Sequence, residues 1–380
     1  MQLYEYEAKA ILRKFGIAVP QGRLARNLAE VREAFVEINK PVALKAQILA
    51  GGRGRAGGIR FAESVEEAER EAAQMFGAEI RGFRVDKILV EEKLNIAREL
   101  YLGVTIDREK GSPVIIASSE GGVDIEEIAA RCPEKIVTLH PNVLRGVREY
   151  EVRRLVKKIG LSGDALSEVA RVLWRLYQIF RSYDAELVEV NPLAITAEGR
   201  IVAADARMSV DDHALFRHPE LEALRAERYE NPLEREGQRR GVNFVDLKGN
   251  IAIMGNGAGL VMALLDAVKM AGGRPACFLD TGGGLSVDRV EKSLDLLLMK
   301  ADSDPDVKAI FFAFWFMISP AEEVTKGFLN VLARRRPKVP IVGVIQGVGA
   351  EQAIKILNNA GIKCYPSIRE GVKAVVELAR

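Results

Sequence analysis

The sequence predicts an α/β protein of two domains whose C-terminal part is an open, doubly wound parallel sheet, and three observations carry that expectation. At 380 residues the chain is too long for one small core and suits two or three domains. Hydrophobic residues make up 48% and charged residues 28%, the mix of a chain that folds and not of a disordered one. From about residue 242 onward, four apolar runs, Ile251 to Met254, Ala276 to Leu279, Ala309 to Phe316 and Ile341 to Ile345, each precede a stretch of helical composition. Uninterrupted apolar strands imply a sheet covered on both faces, which parallel βαβ units produce. Such sheets bind ligands at their strand C-termini. Gly255-Asn256-Gly257-Ala258-Gly259 and Gly282-Gly283-Gly284 stand at two of these ends, each before a helix.

The first 235 or so residues mix short helices with strands that read as antiparallel. Asn27 with Glu30 and Ser64 with Glu67 have capping-box spacing and mark two helix starts. Pro41 to Ile48 reads as a strand running into the glycine-rich segment 50–58. Glu99 to Ile106 and Pro113 to Ala117 flank Arg108-Glu109-Lys110-Gly111 as a hairpin, and a second hairpin spans Glu186 to Arg207. The charged stretch from Glu227 to Arg240 reads as a linker, so the expected domains are 1–235 and 242–380.

Several function classes are excluded at this level. Fifty-five basic against 53 acidic residues leave a formal charge of +2, so no net field favours nucleic acid or an anionic membrane. Cys132, Cys277 and Cys364 are odd in number and widely spaced, which suggests neither disulfides nor a zinc site and fits a reducing, cytoplasmic setting. The N-terminal residues carry acidic groups where a secretory signal needs a basic start and an apolar run. The longest apolar stretch, Ala309 to Ile318, is far shorter than the roughly 20 residues of a spanning helix and reads as a buried strand.

Two constellations carry chemistry. The loop Gly51 to Gly58, with Arg53 and Arg55 and a strand bearing Lys45 before it, offers backbone N–H groups and cations to a polyphosphate; a flexible surface turn is the alternative. It has neither Walker A nor Rossmann spacing. In the second hairpin the turn Ala197-Glu198-Gly199-Arg200 places Asn191 within one residue of facing Asp205, with Glu189 on the same face as Asn191. An amide oxygen and carboxylates completed by phosphates and water suit Mg²⁺; an exposed polar hairpin face is the alternative. His140, His213 and His218 lack motif context and read as surface residues, so a nucleophile is expected from a partner. Trp174 and Trp315 fall on apolar stripes and read as core.

Seven segments together resemble one family, the β subunits of succinate–CoA ligase: Tyr4-Glu5-Tyr6-Glu7-Ala8-Lys9, Gly51 to Gly58, Glu99-Leu100-Tyr101-Leu102-Gly103, Glu120 to Glu126, Glu189-Val190-Asn191-Pro192-Leu193, Asn256 to Leu260 and Leu279 to Gly284. The resemblance covers nearly the whole chain in order. It implies an N-terminal ATP-grasp fold holding Mg²⁺ and ATP and a C-terminal flavodoxin-like ligase domain. It also implies an α subunit, in a heterodimer or an α2β2 heterotetramer, that carries CoA and a phosphorylated histidine. By matching position Lys45, Gly52, Arg53, Gly54 and Glu99 should contact the nucleotide, with Glu91 near the adenine end. Asn191 and Asp205 should hold Mg²⁺, Glu189 should steady the partner's phosphohistidine loop as the catalytic residue, and Asn256 should grip the carboxylate of a small acid. Pro20 stands where members that prefer ATP tend to carry proline.

The sequence departs from the family where Ala313-Phe314-Trp315-Phe316-Met317-Ile318-Ser319-Pro320-Ala321-Glu322 replaces a segment with two glycines; Phe316 and Met317 stand at those positions. Close approach of an anion to the backbone is harder past two large side chains. Ser319, Pro320 and Glu322 still have helix-start chemistry. Gln346-Gly347-Val348-Gly349 departs similarly. Three readings follow: a succinate–CoA ligase subunit, a related ligase with altered acid specificity, or a nucleotide-binding regulatory subunit that has lost acid activation.

Overall fold

A computed structural model describes residues 1–228, 231–317 and 321–380. It divides into two units, Met1–Pro219 and Glu220–Arg380.

In the first unit, helix α1 (Glu5–Lys14) leads into β1 (Gly22–Ala25), α2 (Leu28–Ile38), β2 (Val42–Ala46), β3 (Ile59–Ala62), α3 (Val65–Met75), a short ribbon β4 (Glu79–Ile80) and β5 (Phe83–Arg84), and β6 (Ile88–Glu92). Four of these strands form an antiparallel sheet ordered β1-β6-β2-β3. Both expected helix starts are present: the Glu30 N–H donates to Asn27 Oδ1 at 2.9 Å and the Glu67 N–H to Ser64 Oγ at 3.2 Å. Each cap satisfies an N–H group the helix itself leaves unpaired. Val31, Ala34 and Ile38 of α2 and Ala68, Ala72 and Met75 of α3 recur at helical spacing and bury against Val42, Leu44, Ile88 and Val90.

The rest of that unit is β7 (Ile96–Asp107), β8 (Ser112–Ser118), α4 (Ile125–Arg131), β9 (Ile136–Leu139), α5 (Glu149–Lys157), α6 (Gly163–Ser182), β10 (Ala185–Thr196), β11 (Ile201–Ala203) and β12 (Arg207–Val210). The sheet runs β11-β10-β7-β8-β9, with β12 also paired to β10. Both hairpins read from the sequence are there, β7 with β8 and β10 with β11 and β12.

The second unit carries, after a short helix α7 (Pro219–Glu222) at the division, α8 (Pro232–Arg240), β13 (Asn243–Asp246), β14 (Ile251–Gly255), α9 (Ala258–Met270), β15 (Pro275–Asp280), α10 (Val287–Ser303), β16 (Ala309–Phe316), α11 (Ala321–Arg334), β17 (Ile341–Gly347), α12 (Ala350–Asn359), β18 (Lys363–Tyr365) and α13 (Ile368–Leu378). Its sheet, ordered β13-β15-β14-β16-β17-β18, is parallel except for the edge strand β13. Strand periodicity sorts side chains between two cores. Ile251, Ile253, Phe311 and Ala313 pack with α9 and α13, whereas Ala252, Met254, Phe312 and Phe314 pack with α10, α11 and α12. Phe312 is fully buried, with its ring centroid 4.6 Å from that of Phe328 and 5.3 Å from that of Phe314.

Three expectations need correction or restriction. The stretch read as a linker is largely helix α8: Asn231 accepts from the N–H groups of Leu233 and Glu234, Pro232 takes the first position, and Gly241 ends the helix at φ +71°. Turn-forming residues served as caps. Trp315 is 53% exposed and not core: it shares the face of Phe311 and Ala313 but lies one residue from the end of β16, where the helical cover of that face gives out. Ser319 and Pro320 lie outside the described residues. Among the described residues no helix is long and apolar enough to cross a membrane.

Two outcomes follow from this packing. Phe312→Ala should cost about 3–5 kcal/mol in chemical denaturation of the second unit, since it empties the centre of an aromatic cluster. Asp295 of α10 accepts from Arg240 at 2.7 Å and Arg335 at 2.9 Å; burial alone would raise its carboxyl, but these two guanidinium groups outweigh burial and hold it below its ordinary value. Its stabilisation is therefore present above the unfolded-state value and lost as pH falls through the lower folded value. Asp295→Asn should lower the midpoint of thermal unfolding at neutral pH, with the difference shrinking as the medium is acidified below the ordinary carboxylate range.

Candidate functional site

Strand β10 keeps one antiparallel register against two successive partners, and this assembles the polar face of the first unit. Leu193 faces Ala203, Glu189 faces Arg207, and between them the Ala204 N–H donates to the Pro192 carbonyl at 3.1 Å. Asn191 therefore stands opposite Asp205, as the turn chemistry predicts, and Glu189 shares its face.

Nine residues singled out from the sequence, Lys45, Gly52, Arg53, Gly54, Glu91, Glu99, Glu189, Asn191 and Asp205, line a single cavity of about 410 Å³ in this unit. The tenth, Asn256, belongs to the second unit.

The cavity floor is a buried cluster of charges. Lys45 Nζ, on β2, lies 3.0 Å from Glu5 and 2.9 Å from Glu91 and donates to the Ala204 carbonyl. Lys9 Nζ lies 2.7 Å from Glu5, 2.6 Å from Glu91 and 2.7 Å from the same carbonyl. Arg53, from the glycine-rich loop, turns inward to Glu5, to Asp205 at 2.9 Å and to the Ala46 carbonyl at 2.9 Å. Burial alone would push the Glu5 carboxyl up, but Arg53, Lys45 and Lys9 outweigh it and hold the group well below the usual carboxylate range. Lys45 is driven the other way: burial disfavours its charge, yet Glu5, Glu91 and Asp205 keep the ammonium charged above its ordinary range.

Glu91 is engaged within the protein: both carboxylate oxygens accept from Lys9, and Lys45 adds a third contact, so at the cavity the group neutralises lysines. Arg55, the other loop cation, pairs with Glu127.

The expected metal ligands are already oriented. Asn191 accepts the Gly122 N–H on Oδ1 at 2.8 Å and donates Nδ2 to the Val123 carbonyl at 2.9 Å, so its carboxamide fastens the loop 121–124. Gly122 is required there: φ is +75°, and a Cβ would lie 2.2 Å from Glu99 Oε2. Asp205 Oδ1 accepts from Arg53 and from the Ala206 N–H at 2.7 Å. Among the described residues no cluster of three or more His, Cys, Asp and Glu side chains suits an ion. One amide oxygen and one carboxylate on a shared cavity nevertheless fit Mg²⁺ arriving with a polyphosphate, because that ion keeps water and phosphate ligands and needs few from protein.

Glu189 is mostly buried. Burial raises its carboxyl above the ordinary value despite the opposing charge of Arg207, and Tyr101 donates to it at 3.3 Å. Tyr101 leans across Gly103, where a Cβ would come within 2.7 Å of the hydroxyl.

In the second unit, the two glycine-rich segments at strand ends are tied together by Asp280. Its Oδ1 accepts the N–H groups of Gly257 and Gly282, each at 2.7 Å. Asn256 donates Nδ2 to the Trp315 carbonyl and accepts the Trp315 N–H, both at 2.8 Å, so its carboxamide joins the ends of β14 and β16. Of the two large residues at the departing segment, Phe316 is buried edge-on against Phe314, whereas Met317 is 81% exposed.

Sequence reading missed Glu5, Lys9, Tyr101, Arg207 and Asp280 as site residues. For two of them a signal existed: Glu5, Ala8, Lys9 and Leu12 recur at the spacing of a buried helical face, which places two charges where apolar residues are the rule.

An ATP-grasp domain matches residues 2–195 and a CoA-ligase domain residues 254–377, so the chain is an ATP-grasp protein joined to a CoA-ligase domain. The succinate–CoA ligase [ADP-forming] subunit beta of Ignicoccus hospitalis is 47% identical over 380 residues, covering 100% of both chains. The [GDP-forming] subunit beta of Thermus thermophilus is 44% identical over 378 residues, covering 100% of this chain and 99% of that one. Kinship of this extent places the chain in the family of succinate–CoA ligase β subunits. An ATP citrate lyase from Methanothrix soehngenii, solved with citrate and coenzyme A, shares the fold at TM-score 0.78 and 18% identity, covering 99% of each chain.

The Asn191 contacts yield one outcome that is independent of any reaction. Asn191→Ala should expose the Gly122 amide, with faster hydrogen exchange across 121–124 and unchanged exchange in α2 and α3, read by mass spectrometry.

Proposed function

We propose that this chain is the β subunit of an ADP-forming succinate–CoA ligase, working with a CoA-binding α subunit in the cytoplasm. The observation that carries the reading is the gathering of nine residues, named from the sequence and its family resemblance, around one cavity in a chain related to such subunits over its full length. The net reaction joins acid, CoA and ATP to give acyl-CoA, ADP and phosphate, by way of an acyl phosphate and a phosphohistidine on the partner.

The triphosphate lies against residues 51–55 of the glycine-rich loop, which line the cavity together with Lys45. Asn191 and Asp205 hold Mg²⁺, which when bound neutralises phosphate charge and orients the transferring group. Lys45 keeps its proton throughout, because the carboxylates beside it favour the ammonium form. Glu189, held by Tyr101 and facing Arg207, receives the partner's phosphohistidine loop. In the second unit Asn256 orients the acid carboxylate from the end of β14, with its carboxamide set by Trp315.

One observation favours a second reading, a related ligase acting on another acid. Trp315 and Met317 are exposed apolar side chains at the C-terminal end of β16, the region where Asn256 is anchored.

Calorimetry of the chain with its partner subunit should detect uptake of Mg–ATP, and Asp205→Ala should abolish it. A panel of acids assayed for thioester formation separates the two readings. Succinate as the preferred acid supports the first, and preference for a bulkier, less polar acid supports the second. No nucleotide uptake overturns both.

A further inference from the structure

The buried charges beneath the cavity are arranged around helix α1, not around the nucleotide loop. Glu5 is 4% exposed and Lys9 3% exposed. The Glu5 carboxylate meets Lys9, Lys45 and Arg53, and Gln47 Nε2 approaches it at 3.3 Å. Lys9 meets both Glu5 and Glu91 and shares the Ala204 carbonyl with Lys45. Three cations, Lys9, Lys45 and Arg53, are thereby matched by three carboxylates, Glu5, Glu91 and Asp205. Like charges this close in a dry volume repel strongly, so their positions depend on the anions between them.

We propose that Glu5 and Lys9 are positioning residues for nucleotide binding: Glu5 fixes the ammonium of Lys45 and the guanidinium of Arg53, and Lys9 fixes the carbonyl of Ala204 and with it the neighbouring Asp205. Arg53 bridges Glu5 and Asp205. Without the Glu5 charge, Asp205 is the only carboxylate left against Arg53 among those of the cluster, and it is drawn toward that guanidinium at the expense of a metal. Glu5 thus leaves Asp205 available while holding two cations where phosphate meets them. Lys9 acts from the other side: its bond to the Ala204 carbonyl sets the backbone one residue before Asp205. Glu5 reaches the cavity wall beside the two cations it holds, whereas Lys9 does not line the cavity and acts from behind it.

The inference rests on the nucleotide reading and is tested apart from it by titrating the two-subunit complex calorimetrically with Mg–ATP, and with Mg²⁺ at fixed ATP. Thermal unfolding is measured in parallel. Uptake by the unaltered complex supports the nucleotide reading itself. Glu5→Gln should weaken Mg–ATP binding about tenfold or more, the scale of a lost charged hydrogen bond, and weaken the apparent Mg²⁺ affinity with it. The double variant Glu5→Gln/Lys9→Met removes one charge of each sign, so balance is kept while the direct contacts are lost. It should recover most of the thermal midpoint lost in Glu5→Gln yet keep the weakened binding of Mg–ATP. Recovery of both stability and affinity in the double variant would show that charge balance alone matters and overturn the proposal. Unchanged affinity in a folded Glu5→Gln complex, or failure of the double variant to assemble, would overturn it as well, since the proposal requires a folded but weakly binding complex.

Discussion

Five charged side chains leave water together in the first unit, joined at the cavity by the part-exposed Asp205, and the cost of that transfer governs what surrounds them. An isolated charge in such a place would neutralise or be expelled. Here the cluster balances because α1, β2, β6, the loop after β2 and the turn after β11 each deliver a group to one point. Sequence-distant elements are thus bound to one another by electrostatics as much as by apolar contact. The same arrangement explains why a loop rich in glycine holds its arginine inward: Arg53 has carboxylate partners on two sides and a backbone carbonyl on a third.

The meeting of Asn191 and Asp205 arises differently, from strand register. One register, shared by the pairs from Glu189–Arg207 to Ile195–Ile201 across the break between β11 and β12, determines which side chains meet, and a slip of one residue would turn Asn191 away from the cavity. The carboxamide of Asn191 is also engaged by the backbone of residues 122 and 123. A side chain expected to serve only an ion thus has structural work before any ion arrives. Asn256 and Asp280 repeat this in the second unit, where side chains at strand ends first order the loops around them.

Much of this was legible in the sequence, and the reasons differ by feature. The four apolar runs after residue 242 marked the parallel strands because burial on both faces leaves a continuous signature, but the edge strand Asn243–Asp246 carries no such run and went unseen. The turn at Ala197 to Arg200 made the Asn191–Asp205 meeting predictable, since a hairpin ties register to local chemistry. By contrast, the inward turn of Arg53 and the engagement of Glu91 depend on Glu5 and Lys9, which lie far away in sequence, and no local pattern encodes them. Trp315 misled because an apolar run was read as wholly buried, although the end of a strand extends beyond the helices that cover its faces.

The chain has only two tryptophans, and each unit holds one: Trp174, half-buried on α6, and Trp315, at the tip of β16. The indole of Trp315 stands largely in solvent while its own backbone is clasped by Asn256. Its emission is consequently red-shifted relative to that of its counterpart, and an iodide quencher reaches it first. Light collected from the unlabelled chain therefore separates into two channels, and the more quenchable one watches the strand end that Asn256 holds.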